Sequence, residues 1–312
     1  MLSIIVPCYN EEKVIQVFYK ELKKVVSNND IKYELIFIDD GSKDKTIKVI
    51  ENFIKKDKNI ELISFSRNFG KEAAMLAGLE AANGDFVVLM DSDLQDPPKL
   101  LPTMLKTIID EGYDSVATRR VSRQGEPAIR SIFARFFYKL INKLSSTDIV
   151  DGARDYRMMT KQMKDSIISL REYHRFSKGI FGWVGFETKW IEYENVERAA
   201  GETKWSFFKL FKYALEGIIG FTTLPLRFST FTGFLTCICS FIYFIYILLS
   251  TLIFGNPTSG YASTLVIILL LGGIQLFTIG ILGEYLAKTY IEIKRRPIYI
   301  VKKRVKSNDR NI

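Results

Sequence analysis

Through the first 120 residues, short apolar runs alternate with stretches whose apolar positions recur every three or four residues. Ser3–Pro7, Glu34–Ile38, Ile60–Phe65, Asp85–Met90 and Ser115–Thr118 are short, aliphatic or aromatic in character and bounded by turn residues. Each is read as a buried strand. Between them, Val14, Val17, Phe18, Leu22, Val25 and Val26 keep helical spacing, with Asn10 as the candidate cap. A second helix is predicted from Asp44, as cap, to about Ile54, and an alanine-rich third from Glu72 to Ala82. The double proline Pro97-Pro98 opens a fourth at Lys99. Strand alternating with helix predicts an α/β fold: a mostly parallel sheet with helices on both faces.

The pattern changes after residue 205. Ser206 to Thr223 sets Phe207, Phe208, Phe211, Leu215, Ile218 and Ile219 on one face, away from Lys209, Lys212 and Glu216, as an interfacial amphipathic helix would. Between Arg227 and Glu284 lie 56 residues without a charge. One membrane span needs about 20 residues, so this length predicts two spans and a turn. They are placed at Phe231–Phe254 and Ser263–Ala287, with the turn at Gly255–Gly260. The predicted organisation is an α/β domain over 1–205, a juxtamembrane helix over 206–227, two transmembrane helices within 228–288 and a basic tail over 289–312.

Charge refines this picture. The formal net charge is +9, and from Glu284 onward nine Lys or Arg face three acids. Lys294-Arg295-Arg296 and Lys302-Lys303-Arg304 follow the second span, so they read as a topology signal rather than a nucleic-acid surface. No basic leader precedes the first strand. The expectation is a multi-pass protein of the cytoplasmic (inner) membrane, with the α/β domain and both termini in the cytosol. Cys8, Cys237 and Cys239 lack metal-ligand spacing, and His174 is the single histidine.

Four predicted strands end in selected polar residues: Tyr9/Glu11, Asp39/Asp40, Asp91/Asp93 and Arg119/Arg120. In an open α/β sheet these share one edge, where ligands bind. No G-x-G-x-x-G or G-x-x-x-x-G-K-[ST] occurs, so neither a dinucleotide Rossmann site nor a P-loop explains them. Asp91, Asp93 and Gln95 are hard oxygen donors, suited to Mg2+ or Mn2+.

Seven motifs in order carry a resemblance. Pro7-x-Tyr9-Asn10-Glu11, Asp39-Asp40-Gly41-Ser42, Arg67-Asn68-Phe69-Gly70-Lys71 and Asp91-x-Asp93-Leu94-Gln95-x-Pro97 come first. Gly152-Ala153-Arg154-Asp155-Tyr156-Arg157-Met158, Arg175-Phe176-Ser177-Lys178-Gly179 and Arg198-x-x-Gly201-x-x-Lys204-Trp205 follow. The set resembles family 2 glycosyltransferases of the polyprenyl-phosphate group: dolichol-phosphate mannose synthases and bacterial undecaprenyl-phosphate glucosyl- or N-acetylglucosaminyltransferases. The resemblance implies a GT-A-type fold. It also implies inverting transfer of one glucose or N-acetylglucosamine from a UDP-sugar to undecaprenyl phosphate, for cell-envelope glycosylation. It implies a bilayer partner and a homo-oligomer, a tetramer among the relatives.

By the same resemblance Pro7, Tyr9, Glu11, Asp39, Lys71 and Asp91 hold the nucleotide, and Asp91, Asp93 and Gln95 hold the metal. Asp155 matches the catalytic base, and Asp93 joins it in the catalytic set. Arg119, Arg130, Arg198 and Lys204 are the candidate cations for the acceptor phosphate. Because a phosphate monoester is already largely a dianion at neutral pH, Asp155 is expected to orient the acceptor as much as to deprotonate it. Arg154 stands where the family usually carries glycine. Three alternatives are a GDP-sugar enzyme of the dolichol-phosphate mannose type, a processive polysaccharide synthase and a non-enzymatic nucleotide-sugar sensor. A synthase usually carries Q-x-x-R-W and further spans, and neither occurs here.

Overall fold

The computed structural model describes residues 1–120, 150, 152–193, 224–254 and 260–307. They form two units, Met1–Gly217 with Arg296–Ile312, and Ile218–Arg295. The juxtamembrane helix expected at 206–223 lies outside the described residues.

The first unit holds an eight-stranded sheet. Its strands are β1 (Leu2–Cys8), β2 (Tyr33–Asp39), β3 (Ile60–Phe65), β4 (Phe86–Leu89), β5 (Ser115–Arg120), β6 (Ala153–Thr160), β7 (Thr188–Tyr193) and β8 (Val301–Lys306). Their order is β7-β5-β6-β4-β1-β2-β3-β8. β6 runs antiparallel to β4 and β5, and β8 runs antiparallel to β3. The other neighbouring pairs are parallel. All five predicted strands form, and β6, β7 and β8 are additions to the sequence reading.

Helices cover both faces, as the alternating pattern predicts. The even residues Leu2, Ile4, Val6 and Cys8 of β1 share one core with α1 (Ile15–Asn28), α2 (Thr46–Ile54) and α4 (Leu101–Glu111). The opposite face receives α3 (Lys71–Ala81), α5 (Lys161–Ser169) and α6 (Ser177–Trp183). α3 packs closely because it is built of small residues: a Cβ on Gly78 would lie 2.1 Å from Ile5 Cγ2. A 3-10 turn at Pro98–Leu100 precedes α4, and Gly112 closes that helix at φ 75°.

Asp44, expected as the cap of α2, lies one residue before the cap position, which Lys45 holds without a side-chain cap bond; Asp44 Oδ1 still accepts from Thr46 N at 3.0 Å. Asn10 does not cap α1, which begins only at Ile15. With φ 55°, Asn10 instead bridges to the next loop.

The second unit contains two long helices packed on each other, α7 (Leu224–Phe254) and α8 (Tyr261–Ile293). Pro225–Ile247 and Leu270–Ile293 are long and apolar enough to cross a membrane. Both helices extend past the predicted spans.

Candidate active site

The carboxyl ends of β1, β2, β4 and β5 lie on one edge, as the sequence reading requires. Because β6 runs the other way, its first residues, Ala153 to Asp155, join them there.

The first two loops of this edge are laced together. Asn10 N donates to Ser42 Oγ at 2.9 Å, and Lys43 N to Asn10 Oδ1 at 2.8 Å. Glu11 N donates to Thr46 Oγ1 at 2.9 Å, and Lys45 N to Glu12 Oε2 at 2.9 Å. Pro7, Tyr9 and Glu11, all half-buried, line this braced segment. Asp39 is fully buried and accepts from Ser64 Oγ at 2.8 Å and Ser42 N at 3.2 Å. Asp40 accepts from Phe69 N at 2.6 Å and Gly70 N at 3.0 Å. Burial pushes the Asp40 carboxyl up, and those two N–H groups oppose it. Gly41, at φ 70°, lets the turn approach the next loop, where a Cβ would lie 2.6 Å from Arg67 C. Asp39-Asp40-Gly41-Ser42 therefore joins three loops.

Asp40 in turn fixes the start of α3, and α3 begins with Lys71. Lys71 Nζ lies 2.8 Å from Asp91 Oδ1 and 2.7 Å from Asp155 Oδ2. Burial works against the ammonium, but the two carboxylates outweigh it and hold its pKa above the ordinary lysine value. Burial likewise disfavours the Asp155 carboxylate, yet Lys71, Lys178 and Arg154 hold it well below the usual range.

The acidic loop after β4 is bent by Leu94, a non-glycine residue at φ 59°. Within it, Gln95 N donates to Asp93 Oδ1 at 3.1 Å, and Gln95 Oε1 accepts from Arg154 Nη2 at 3.1 Å. Asp96 is buried beneath the loop. It accepts from Asp91 N at 3.3 Å and Tyr193 Oη at 3.2 Å, and Arg154 Nε lies 3.7 Å away. Burial first, then Asp91, push the Asp96 carboxyl up. Asp96 is therefore a brace and not a helix cap, since the turn at Pro98 has no side-chain cap.

Among the described residues no three His, Cys, Asp or Glu side chains form a metal cluster. Asp91, Asp93 and Gln95 place two carboxylates and one amide on one strained turn, hard oxygen donors of the type a divalent cation prefers, with Asp91 paired to Lys71 and Gln95 Oε1 to Arg154 in this structure.

On the α6 side, Ser177 N donates to Glu72 Oε2 at 3.1 Å, and Ser177 Oγ donates to the same carboxylate. Burial and Asp155 raise Glu72 to about 7, against the Ser177 hydrogen bonds. Arg157 is buried between the Phe181 and Trp190 rings, at 4.7 and 5.4 Å, and donates to Ser115 Oγ and Thr188 Oγ1. Burial pushes it down to about 10.

Of the expected acceptor cations, Arg119 stands at the end of β5 and pairs with Glu192 of β7. Arg130, Arg198 and Lys204 lie outside the described residues.

Residues 3–167 match the sequence profile of glycosyl transferase family 2. The chain belongs to glycosyl transferase family 2. It is 42% identical over 302 residues to the putative glycosyltransferase CsbB of Bacillus subtilis, covering 97% of this chain and 91% of that protein. It is 43% identical over 307 residues to the SfII prophage-derived bactoprenol glucosyl transferase of Shigella flexneri, covering 98% and 99%. A prophage bactoprenol glucosyl transferase homolog of Escherichia coli is 43% identical over 302 residues, covering 97% and 98%.

In this family 2 glycosyltransferase the structure brings Lys71, Asp91 and Asp155 into one ionic cluster, with Asp93 and Gln95 on the adjoining turn. The sequence reading missed Arg154, Glu72 and the electrostatic influence of Lys178 on Asp155. The motif Arg175-Phe176-Ser177-Lys178-Gly179 flagged the last without assigning it a role. Arg154 was visible only as a departure, because its partners lie 59 residues back at Gln95 and 39 residues ahead at Tyr193.

Proposed function

We propose that this chain transfers one glucose from UDP-glucose to undecaprenyl phosphate, with inversion, at the inner face of the cytoplasmic membrane. One observation carries the reading: identity of 43% over 98% of the chain, both apolar helices included, to a protein named bactoprenol glucosyl transferase. That likeness favours glucose over N-acetylglucosamine and a single-sugar lipid over a polymer. It also speaks against a non-enzymatic sensor.

The site chemistry supports the same reading. Tyr9, Glu11, Pro7 and Asp39 form the base and ribose side, held rigid by the laced loops. Asp91, Asp93 and Gln95 hold Mg2+ or Mn2+, which when bound stabilises negative charge gathering on the diphosphate leaving group. Arg154 fixes Gln95 for that task. Lys71 is the fixed cation between donor and acceptor sides, since it reaches both Asp91 and Asp155. Asp155, kept ionised by Lys71 and Lys178, orients these lysines toward the acceptor phosphate rather than drawing a proton from it. Arg119, Arg130, Arg198 and Lys204 complete the acceptor-phosphate set. The basic residues Lys294, Arg295 and Arg296 just beyond α8 support cytosolic placement of both termini.

Membranes carrying the full chain test this with labelled UDP-glucose, UDP-N-acetylglucosamine or GDP-mannose and undecaprenyl phosphate. The expected product is a single-glucose lipid, formed from UDP-glucose, abolished by EDTA and restored by Mg2+ or Mn2+. Polymer, a GDP-mannose product or no transfer overturns the proposal.

A further inference from the structure

The segment after α8 does more than carry charge. β8 pairs antiparallel with β3, and Ser66 N donates to Ile300 O at 3.0 Å. Lys303 pairs with Glu51, and Arg304 and Lys306 both pair with the buried Glu61. Much of the tail's positive charge is thus spent on acids of the α/β domain.

Tyr299, just before β8, reaches α3 from two sides. Its ring stacks on Phe65 at 4.9 Å with planes 17° apart. Phe65 meets Phe69 edge-on at 5.8 Å, and Arg67 lies over the other ring at 4.0 Å. Phe69 and Gly70 are the residues whose N–H groups Asp40 holds, and Lys71 comes next. At the far end of α3, the Tyr299 hydroxyl donates to Glu80, which also pairs with Arg171 at 3.0 Å.

We propose that Tyr299 is a positioning residue. Its ring fixes the loop Arg67–Gly70, so that the chain leaving the second apolar helix sets where Lys71 stands between Asp91 and Asp155. The warrant is geometric: Lys71 serves both sides of the reaction only if its backbone is fixed, and small misplacements of a charged group are costly in rate. The loop itself lacks a side-chain cap at Gly70, which sits at φ 98°. Its order comes from Asp40 below and the Tyr299–Phe65–Phe69 stack beside it.

The rate test rests on the transferase reading, whereas the exchange test does not. Full-length Tyr299→Ala, Tyr299→Leu and Tyr299→Phe are compared with wild type in membranes, with rates expressed per UDP-binding site. Tyr299→Ala and Tyr299→Leu are expected to lose about tenfold in kcat, with the KM for UDP-glucose changed less than threefold. Tyr299→Phe keeps the stack and retains at least half the rate. In a Lys71→Ala background, the further loss from Tyr299→Leu shrinks below twofold, because both act through one group. Hydrogen exchange of the 66–71 amides rises in Tyr299→Leu and not in Tyr299→Phe.

Equal kcat for Tyr299→Leu and Tyr299→Phe overturns the proposal, as does a full tenfold loss in both backgrounds. Unchanged exchange at 66–71 overturns it even if the wild type transfers no glucose, a result that would sink the transferase reading separately. Should Tyr299→Ala fail to accumulate, the Leu and Phe pair decides alone.

Discussion

Replacing Asp155 by asparagine separates two roles for that residue. A general base works best with a pKa near the working pH. Asp155 is held well below the ordinary carboxylate range by Lys71 at 2.7 Å and by Lys178, despite burial. A phosphate monoester with a second pKa of about 6 needs little help to ionise at pH 7.5. The residue's charge should therefore matter more than its basicity. At 2.7 Å and an effective dielectric of about 20, the attraction to Lys71 is on the order of 6 kcal/mol. The Lys71 side chain is 41% exposed and that of Asp155 23%, so solvent screening reduces this to about 1–3 kcal/mol. Asparagine keeps an oxygen that accepts from Lys71 and loses the charge. The expected fall in kcat is about 10- to 100-fold. The assay is initial rate of glucose transfer to undecaprenyl phosphate between about pH 5.5 and 9, at constant ionic strength. Both enzymes should rise with a midpoint near 6, set by the acceptor, and their curves should coincide after scaling. Loss of the rising limb in Asp155→Asn, or a fall beyond about 10⁴-fold, would refute the orienting role and restore the base.

Three further perturbations follow from the braces around the site. Glu72 ionises near 4.5 when free and at about 7 in the fold, so between these values the unfolded chain releases a proton that the fold keeps. Its contribution to stability is present below pH 4.5 and lost as pH rises through 7. Glu72→Gln cannot ionise and should gain on wild type by about 1–3 kcal/mol across that window, read as thermal midpoints in detergent. Arg154→Ala leaves the buried Asp96 without its cation and frees Gln95. It should cost about 3 kcal/mol in thermal unfolding, and adding Asp96→Asn should recover most of that. Gly41→Ala combines φ 70° with a Cβ 2.6 Å from Arg67 C. It should cost about 1–3 kcal/mol in the same measurement and weaken UDP binding by calorimetry, because three loops move together.

Four of the five strands that were legible have a pattern apolar on both faces. β1, β2, β3 and β4 sit centrally, buried on each side, and their sequences are nearly continuous apolar runs. β6 hides its nature. Arg154, Asp155 and Arg157 interrupt it, and Arg157 is 4% exposed, held by two rings and two hydroxyls rather than by an acid. No local pattern marks a buried arginine of that kind. β8 reads as a topology signal because all six of its residues are basic or valine, and its partners Glu51 and Glu61 lie over 240 positions away. Lys71, Asp91 and Asp155 were each legible as motif residues. Their convergence on one ammonium was not, since it depends on the antiparallel sense of β6.

That convergence bears on why a divalent ion fits this edge. Asp39, Asp40, Asp91, Asp93, Asp96 and Asp155 all gather there, and on the proposed reaction a diphosphate and a phosphate must approach them. The fold removes most of that repulsion without metal. Asp39 and Asp40 turn to N–H and hydroxyl groups. Asp96 faces Arg154 and is biased by burial toward its neutral form. Asp155 takes Lys71 and Lys178. Asp91 has Lys71, but that ammonium is divided between Asp91 at 2.8 Å and Asp155 at 2.7 Å. A lysine so divided cannot also screen a diphosphate. A doubly charged ion with oxygen preference, set on Asp91, Asp93 and Gln95, would free Lys71 to face the acceptor side. The Lys71–Asp91 contact should then weaken when UDP and Mn2+ bind together and persist with either alone. A full set of bound and unbound structures in which that distance never changes would remove this argument.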